Sequence, residues 1–500
     1  MSSDMEHKKR DLADAPSILD RLCVIIPTYN NEKTLLDVVA RTYNYSKNII
    51  VVNDGSTDST LELLHTCQTP FTLVSYNVNR GKGYALIEGF KKARELGYDY
   101  AITIDSDGQH YPEDIPLFVE AEEKNLGSFI IGSRTLENKD ISKGSLFANK
   151  FSNFWFFIQT GISLPDTQTG YRLYPLKKLK WTSLVTSRYE SELELLVFPA
   201  WHGARMVPID VNVFYPTREE RVSHFRPGLD FFRISILNTV LCFGALLYAL
   251  PRKLLLFIRT VWYTLFSFLF FLTGVSLLTL FCLLYFNIGP DSHKKRYTLH
   301  KILYRLSGFI SRNIPGVKFS LSNPHNVDFS KPKVLICNHQ SHLDLMFTMM
   351  LTPNLVILTN NWVWNNPFYG KIIKYAEFYP VTEGVESSLE HIESLVNRGY
   401  SVLVFPEGSR SADCRIQRFH KGAFYISELL KLDIVPIFLY GAGLVLPKKL
   451  FYLRKGKVHV EVHAPIRWND MEMGENFKKR TRAYERYYKR EFKRISIEQA

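Results

Sequence analysis

The sequence predicts an α/β protein in which two α/β domains are joined by membrane-embedded helices. In the first 230 residues, short apolar runs ending in polar residues alternate with helically spaced segments, as in NIIVVNDGSTDSTLELL. The same alternation returns after residue 290, as in KVLICNHQSHLDLMF. Between them, Thr260 to Gly289 is a run of thirty residues without a charge. Strands that alternate with helices form parallel sheets, which bind ligands at the carboxyl ends of their strands.

The bulk composition limits the kind of protein and its partners. A chain of 500 residues is too long for one ordinary core and predicts two or three domains. The net charge of +13 favours anionic partners, such as lipid headgroups or phosphorylated substrates. No zinc-ligand spacing or aromatic RNA-binding signature accompanies it, so nucleic acid is not expected. The six scattered cysteines are typical of free thiols in a reducing compartment.

The N-terminal end has no predicted core. Residues 1–20 are polar and charged, and we expect them to be disordered. They lack the apolar segment of a secretory signal, so the domain at 21–230 is expected to stay in the cytoplasm.

Carboxylates follow two predicted strands of this first domain. Asp54 ends IIVVND, and Asp105 and Asp107 follow the strand in DYAITIDSDGQH. Side chains alternate along an extended chain, so Asp105 and Asp107 project the same way. Hard oxygen ligands select Mg²⁺ or Mn²⁺, and such a cation can bridge a diphosphate. An exposed acidic turn is the alternative interpretation of this pair.

The motifs IIPTYNNEKTL, VVNDGSTDST, NRGKGYAL, TIDSDGQHYPED, IGSR and DTQTGYRLYP occur in this order. Together they resemble the family 2 glycosyltransferases, in the branch of the dolichol- and polyprenyl-phosphate sugar synthases. The resemblance implies a GT-A fold at 21–230 and an inverting transfer from a nucleotide sugar. It also implies a nucleotide-sugar site formed by Pro27, Tyr29, Glu32, Asp54, Asp105 and Arg134. A metal site is implied as well, formed by Asp105, Asp107 and Gln109.

The acceptor end of this site is less sharply defined. DTQTGYR offers Asp166, Gln168 and Arg172. If the acceptor is a hydroxyl, Asp166 is a candidate base. If the acceptor is a phosphate, no base is needed and Asp166 orients other groups. A purely structural role as a turn residue is a further alternative. The basic segment TREERVSHFRPG, with Arg221 and Arg226, either grips an acceptor phosphate at the membrane or supplies ordinary interfacial charge.

The apolar region at 231–290 predicts membrane association. About 20 apolar residues in a helix span a bilayer, so Thr260 to Gly289 is longer than one crossing needs. Ile234 to Leu250 is a second uncharged run. Positive residues flank the long run on both sides, and such residues prefer the cytoplasm. We therefore expect a re-entrant hairpin or a pair of spans, with both flanking domains facing the cytoplasm. A buried soluble helix is the alternative.

A histidine and an aspartate mark the second domain. His339 and Asp344 can meet only if His339 lies on the turn after the strand and Asp344 in the first turn of the next helix. Asp344 would then fix the imidazole tautomer while His339 takes a proton from an alcohol. The acceptor hydroxyl itself attacks, so no nucleophilic side chain is needed. A purely structural pair is the alternative.

The ordered set NHxxxxD, FPEGSRS, FxKGAF and VPI resembles the lysophospholipid and glycerol-phosphate acyltransferases. The resemblance implies an acyltransferase domain at 291–470 that moves an acyl group from an acyl carrier protein or coenzyme A thioester to a hydroxyl. It implies catalysis by His339 and Asp344, and binding by Glu407, Gly408, Ser409 and Arg410. One departure is Thr382, where the family usually has a phosphate-gripping arginine. A basic amphipathic helix at 471–500 either lies on the membrane or packs on the domain.

The order of the two domains resembles bacterial glycosyltransferase–acyltransferase proteins of aryl-polyene-type lipid pathways. We therefore expect a bifunctional enzyme of the inner membrane. It would transfer a sugar to a lipid acceptor, either a polyprenyl phosphate or a lipid hydroxyl, and an acyl group to a hydroxyl of a (glyco)lipid. The alternative is a glycosyltransferase whose second domain is a non-catalytic lipid-binding scaffold.

Overall fold

A computed structural model gives the fold. It describes residues 18–134, 143–179, 186–188, 190–214, 227–381, 388–450 and 452–499. The chain divides into two compact units after Leu254. Each unit contains a sheet covered by helices, which confirms the α/β fold class.

The sheet of the first unit has the order β3-β2-β1-β4-β6-β5-β7. Its pairings are parallel except those of β6, which runs antiparallel to β4 and β5. The central strands are buried on both faces, which explains their continuous apolar sequences. The strands are β1 (Leu22–Thr28), β2 (Ile49–Asp54), β3 (Thr72–Tyr76), β4 (Tyr100–Thr103), β5 (Phe129–Arg134), β6 (Arg172–Pro175) and β7 (Met206–Val211).

The helices of the first unit connect these strands and cover the sheet. Their α-helical segments are Leu35–Tyr43, Thr60–Thr66, Lys82–Glu95, Ile115–Lys124, Lys143–Thr160 and Ser191–Trp201. The apolar core of this unit is formed by the inner strands and by the helices Lys82–Glu95 and Ser191–Trp201.

The sheet of the second unit has the order β11-β10-β12-β9-β13-β14-β8. Only the pairing of β13 with β14 is antiparallel. The strands are β8 (Val317–Ser322), β9 (Val334–Cys337), β10 (Leu355–Thr359), β11 (Tyr379–Pro380), β12 (Ser401–Val404), β13 (Ile434–Tyr440) and β14 (Gly456–Val462).

The helices of the second unit include the C-terminal one, Phe477–Gln499. Tyr484 and Tyr488 on this helix are buried in the core. The helix therefore packs on the second unit, which was one of the two alternatives predicted for it. The others are His293–Asn313, Asp344–Met349, Asn361–Trp364, Gly370–Tyr375, Leu389–Asn397, Gly422–Leu429 and Ala442–Val445.

The apolar region forms one uninterrupted helix, which differs from the predicted hairpin or pair of spans. Pro227–Gly244 continues through a π-helical turn, Ala245–Ala249, into Leu250–Asn287. Pro251, which has no N–H to donate, directly follows the wider π turn, and the helix continues through it. Phe232–Asn287 is long and apolar enough to cross a membrane. Gly274 therefore produces no turn.

Two candidate active sites

The first site lies at the carboxyl ends of β1, β2 and β4. Asn30 and Asn31 join the loops there: the Asn30 carboxamide oxygen accepts from the Thr57 amide at 2.7 Å, and Asn31 Nδ2 donates to Ser106 Oγ at 3.0 Å. Asn30 has a φ of +45°, a left-handed conformation that asparagine tolerates better than most residues. These two residues were not predicted, although PTYNN marks the turn.

The predicted nucleotide-binding residues collect along this edge. Pro27 is buried in β1, Tyr29 is half-buried and Glu32 is exposed, accepting from the Ser59 amide at 3.3 Å. Asp54 is buried, and its two oxygens accept from the amides of Arg80 and Gly81 at 2.7 and 2.8 Å. Asp54 thereby positions the residues that lead into the helix Lys82–Glu95.

An ion triad lies at the centre of this site. Lys82 Nζ is 2.6 Å from Asp105 Oδ1 and 2.6 Å from Glu192 Oε1. Burial by itself raises the pKa of Asp105, but the charges of Lys82 and His110 outweigh it, so the net shift lowers that pKa. Gly170 makes room for the triad, because a Cβ there would lie 2.8 Å from Asp105 Oδ2 and 3.0 Å from Lys82 Nζ.

The residues present fit a hard divalent cation. Asp105 and Asp107 follow β4, and the Gln109 amide donates to Asp107 Oδ1 at 3.0 Å, which holds Gln109 beside them. Within the described residues, no group of three or more His, Cys, Asp or Glu is arranged around a metal position. Two carboxylates and an amide oxygen nevertheless suit Mg²⁺ or Mn²⁺, because such sites take their remaining ligands from water and substrate phosphates.

Asp166 is fully buried and its oxygens are saturated. Arg134 Nε donates to Oδ2 at 2.6 Å and Nη2 to Oδ1 at 3.0 Å, while Asn149 Nδ2 donates to Oδ1 at 2.7 Å. The backbone amides of Arg134 and Gln168 also donate to this carboxylate, at 3.3 and 3.0 Å, so its acceptor positions are already occupied. The geometry therefore favours the orienting role for Asp166 over the role of a base.

The other predicted acceptor residues have different surroundings. Gln168 is exposed, and its side-chain amide donates to the Ala148 carbonyl at 3.3 Å. Arg172 is fully buried in β6 and donates to the carbonyls of Thr167 at 2.9 Å and Glu192 at 2.7 Å. Arg172 thus supports the site by bonding the Thr167 loop to the helix Ser191–Trp201, a role that the sequence did not predict. Arg221 and Arg226 lie outside the described residues.

The second site lies after β9. His339 is on the loop and Asp344 begins the helix Asp344–Met349, the placement that their spacing requires. His339 Nδ1 is 2.8 Å from Asp344 Oδ2, which also accepts from the amides of Gln340 and Ser341 at 2.6 and 2.8 Å. This leaves Nε2 as the ring nitrogen that Asp344 does not engage. The His339 side chain is 19% exposed, so a substrate can reach it.

Glu407 supports His339 from the turn that follows β12. Its Oε1 accepts from the His339 amide at 2.9 Å and its Oε2 from the Gln417 amide at 3.1 Å. Burial raises the pKa of Glu407 to about 7, against the opposing effect of these two amides. Glu407 is buried and bonded to the His339 amide, so it positions the histidine loop, a role that the sequence did not predict.

The residues after Glu407 are available to a ligand. Gly408 and Ser409 are exposed and Arg410 is half-buried. The Ser411 amide donates to the His339 carbonyl at 2.7 Å, so this segment lies beside the dyad. The Phe405 ring stacks on the imidazole, with 4.3 Å between ring centroids, and was not predicted. Thr382 lies outside the described residues.

Comparison with known proteins identifies both units. Residues 23–180 match the Glycosyl transferase family 2 family, and residues 318–440 match the Acyltransferase family. The UDP-N-acetylglucosamine–dolichyl-phosphate N-acetylglucosaminyltransferase of Methanococcus voltae is 30% identical over 213 residues, covering 38% of this chain and 85% of that protein. The chain belongs to glycosyl transferase family 2. It also carries an acyltransferase domain, so the predicted fusion is confirmed.

The acyltransferase domain has relatives of its own. The chloroplastic 1-acyl-sn-glycerol-3-phosphate acyltransferase of Arabidopsis thaliana is 30% identical over 182 residues. This match covers 35% of the fusion protein and only 50% of the plant enzyme. Among solved structures, the 1-acyl-sn-glycerophosphate acyltransferase of Thermotoga maritima is similar at TM-score 0.40 and 19% identity, covering 47% of this chain and 97% of that one.

Proposed function

We propose that the fusion protein is a bifunctional membrane enzyme. One unit transfers a sugar from a nucleotide sugar to a lipid acceptor, and the other transfers an acyl group from a thioester to a hydroxyl of a lipid. The observation that carries the proposal is the His339–Asp344 pair at 2.8 Å in a chain whose other unit has the Asp105–Asp107 carboxylates and Lys82 at one sheet edge. The His339–Asp344 pair suits the acyl transfer, and the carboxylates with Lys82 suit the sugar transfer.

The sugar acceptor is a polyprenyl phosphate or a lipid hydroxyl. Two relatives act on polyprenyl phosphates by their names: the Methanococcus enzyme above and an undecaprenyl-phosphate mannosyltransferase of Micrococcus luteus. A phosphate acceptor needs no base, which agrees with the saturated oxygens of Asp166. Asp166 then orients Arg134 toward a phosphate, while exposed Gln168 and the basic Arg221 and Arg226 contact the acceptor.

On the donor side, Pro27, Tyr29, Glu32 and Asp54 form the nucleoside side of the pocket. Asp105, Asp107 and Gln109 would hold Mg²⁺ or Mn²⁺, which when bound would offset the charge of the nucleoside diphosphate leaving group. Lys82 keeps Asp105 ionised and oriented, because its ammonium lies 2.6 Å from that carboxylate.

In the acyl transfer, His339 Nε2 removes the proton of the acceptor hydroxyl as its oxygen attacks the thioester carbonyl. The carbon–sulfur bond then breaks, and the departing sulfur takes the proton back from the imidazolium. Asp344 accepts from Nδ1 and stabilises the imidazolium between these steps. Gly408, Ser409 and Arg410 bind acceptor or donor beside the dyad, and the donor is an acyl carrier protein or coenzyme A thioester.

Both units are proposed to face the cytoplasm at the inner membrane. Nucleotide sugars and carrier-bound thioesters are charged and water-soluble, so neither donor crosses a bilayer unaided. The lipid acceptor would reach both sites by diffusion along that membrane.

Paired single-site variants test the two activities. Membranes containing the full chain are supplied with labelled nucleotide sugars and acyl carrier protein thioesters, and the lipids are compared by mass. Asp107→Ala should abolish the sugar mass increment, and His339→Ala should abolish the acyl increment, each leaving the other transfer intact if the acceptors are supplied separately.

The outcomes distinguish the proposal from its alternatives. If the His339→Ala lipids match the parent while Asp107→Ala loses the sugar, the second unit is a non-catalytic scaffold, as Thr382 would suggest. Identical lipids from the parent and both variants would contradict the bifunctional proposal.

A further inference from the structure

One segment of the apolar helix is held at both ends by the acyltransferase unit. Near its start, Thr264 Oγ1 accepts from the Leu453 amide at 3.0 Å. Near its end, Cys282 and Phe286 are buried in the core, and Phe286 stacks on Tyr375 with 4.2 Å between centroids. Thr264 and Phe286 are 22 positions apart, which is ~33 Å along a helix that rises 1.5 Å per residue. This length equals the thickness of a hydrocarbon core, about 30 Å.

Exposed cations lie beside both ends of this segment. Arg454 and Lys455 follow Leu453 at the first contact, and Lys371 and Lys374 precede Tyr375 at the second. Placing such charges in hydrocarbon is costly, so both ends belong at the level of water and lipid headgroups. A helix that crossed the bilayer between these contacts would pull one of the two charged edges of the same folded unit through the membrane.

The outer side of the segment is apolar and uncovered. Only 6% of the most apolar window of Phe232–Asn287 is buried within the protein. Phe266, Leu277 and Leu284 lie about 160–200° around the helix from Val275, which packs on the core, and all three are exposed. The side that does not face the unit is thus uncharged and largely apolar, and the hydroxyl of Thr273 on it donates to the Leu269 carbonyl of the same helix at 2.8 Å.

A short helix of the unit, Asn361–Trp364, and the loop that follows it extend this apolar surface. Trp362 and Phe368 are each 63% exposed, although large aromatic side chains are usually covered. The Phe368 carbonyl accepts from Thr279 Oγ1 at 3.1 Å, so this loop is bonded to the apolar helix. Tryptophan is enriched where proteins meet the headgroup layer of a membrane.

We propose that the segment from Thr264 to Phe286 lies in the plane of the membrane and does not cross it. Trp362 and Phe368 insert beside it, and Lys371, Lys374, Arg454 and Lys455 contact anionic headgroups. The acyltransferase unit thus rests on one face of the bilayer. This inference rests on the membrane association proposed above, but not on either catalytic activity.

Depth-dependent fluorescence quenching tests the position of Trp362. The full chain is bound to vesicles of phosphatidylcholine and phosphatidylglycerol with or without brominated phosphatidylcholine, and the contribution of Trp362 is obtained by subtracting the Trp362→Phe variant. We expect at least a twofold loss of that contribution in brominated vesicles. Trp468 is the control, because it follows β14 whereas Leu453 precedes that strand. The contribution of Trp468, obtained by subtracting the signal of the Trp468→Phe variant, should not be quenched. An unquenched Trp362 contradicts insertion of the short helix.

Labelling from one side tests the in-plane geometry. Lys371→Cys and Lys455→Cys are treated with a membrane-impermeant maleimide in sealed inverted inner-membrane vesicles, with the parent chain as background. Labelling of both without detergent is expected. If one is labelled only after permeabilisation, the helix crosses and the inference is wrong, while the activities of the two variants report separately on the proposed function. A chain that leaves the membrane in a salt wash overturns the inference and the membrane association together.

Discussion

At the scale of single residues, the sugar-transfer site contains a buried ion pair between Lys82 and Glu192 that could not be predicted from the sequence. Lys82 lies in NRGKGYAL, and Glu192 is 110 residues further along the chain. Nothing in their spacing brings them together. Their contact arises because the segment leading into the helix Ser191–Trp201 packs on the start of the helix Lys82–Glu95, where the Tyr84 amide donates to the Ser187 carbonyl at 3.2 Å.

Gly170→Ala should disturb this triad without unfolding the unit. The new Cβ would lie 2.8 Å from Asp105 Oδ2, so Asp105 and Lys82 must shift, and both are side-chain ends that can move. Displacing a substrate-positioning group by about 1 Å can reduce catalysis about 100-fold. We expect a glycosyl-transfer loss of this order with an unchanged melting temperature. Gly274→Ala, which meets nothing within 4 Å, is the control. Full activity in Gly170→Ala would show that the positions of Asp105 and Lys82 do not matter.

Glu407→Gln should remove a pH dependence of stability. The carboxyl ionises near 4.5 in the unfolded chain and near 7 in the folded one, because burial raises its pKa. Folding therefore takes up a proton, and the free energy of unfolding falls as pH rises from below 4.5 through 7, by about 3 kcal/mol in total. The glutamine variant should lack this fall. Urea unfolding of the detergent-solubilised chain at pH 5 and pH 8 measures the change in the free energy of unfolding. An equal change in the parent and the variant would show that Glu407 is not the group responsible.

The two sites were predictable to different extents. His339 and Asp344 lie five residues apart, so one strand–turn–helix unit determines their contact, and the sequence predicted it. The role of Arg172 was missed, because the motif TGYR does not reveal that β6 lies between β4 and β5. The fold class followed from alternating strands and helices, whereas β3 has only partly buried residues and gave no clear apolar signal.

At the scale of elements, the apolar helix shows how a pattern can be over-interpreted. Its length suggested a bend, yet a lone glycine in an apolar run costs only about 1 kcal/mol relative to alanine and does not end a helix. At Pro251 the helix likewise continues, directly after the π-helical turn at Ala245–Ala249. Side chains that could compete for backbone hydrogen bonds leave the helix intact here, because the hydroxyls of Thr260, Thr264 and Thr273 donate to carbonyls of the preceding helical turn.

The C-terminal helix offers a matched pair of substitutions. Tyr488 is fully buried, and its hydroxyl donates to the Ile336 carbonyl at 2.7 Å and accepts from the Ile437 amide at 3.1 Å, which joins the helix to β9 and β13. Tyr488→Phe should cost about 1–3 kcal/mol, because it leaves buried polar groups without this partner. Tyr484 is equally buried, but its hydroxyl has no hydrogen-bond partner among the described residues.

Tyr484→Phe should therefore be neutral or slightly stabilising. Urea unfolding of the acyltransferase unit compares the free energies of unfolding of the two variants directly. Equal losses from both substitutions would mean that the hydroxyl of Tyr488 contributes nothing beyond the packing of its ring.

At the scale of the whole molecule, the residues that the structure describes form two separate apolar cores. One contains Phe90 and the other Phe424, and both side chains are almost completely buried. The cores share no residue, and the boundary between the compact units falls inside the long helix, after Leu254. A loss of packing in one core should therefore leave the hydrogen bonds of the other unit protected.

Phe90→Ala and Phe424→Ala test this independence. Each creates a cavity that should cost about 3–5 kcal/mol in its own unit. Hydrogen exchange of the detergent-solubilised chain, read by peptide mass, should become faster only within residues 18–254 for Phe90→Ala and only within 255–499 for Phe424→Ala. Sugar transfer should fall in the first variant and acyl transfer in the second. Faster exchange across both units from one substitution would show that they fold as one cooperative body, in which case loss of one activity could no longer be assigned to one site.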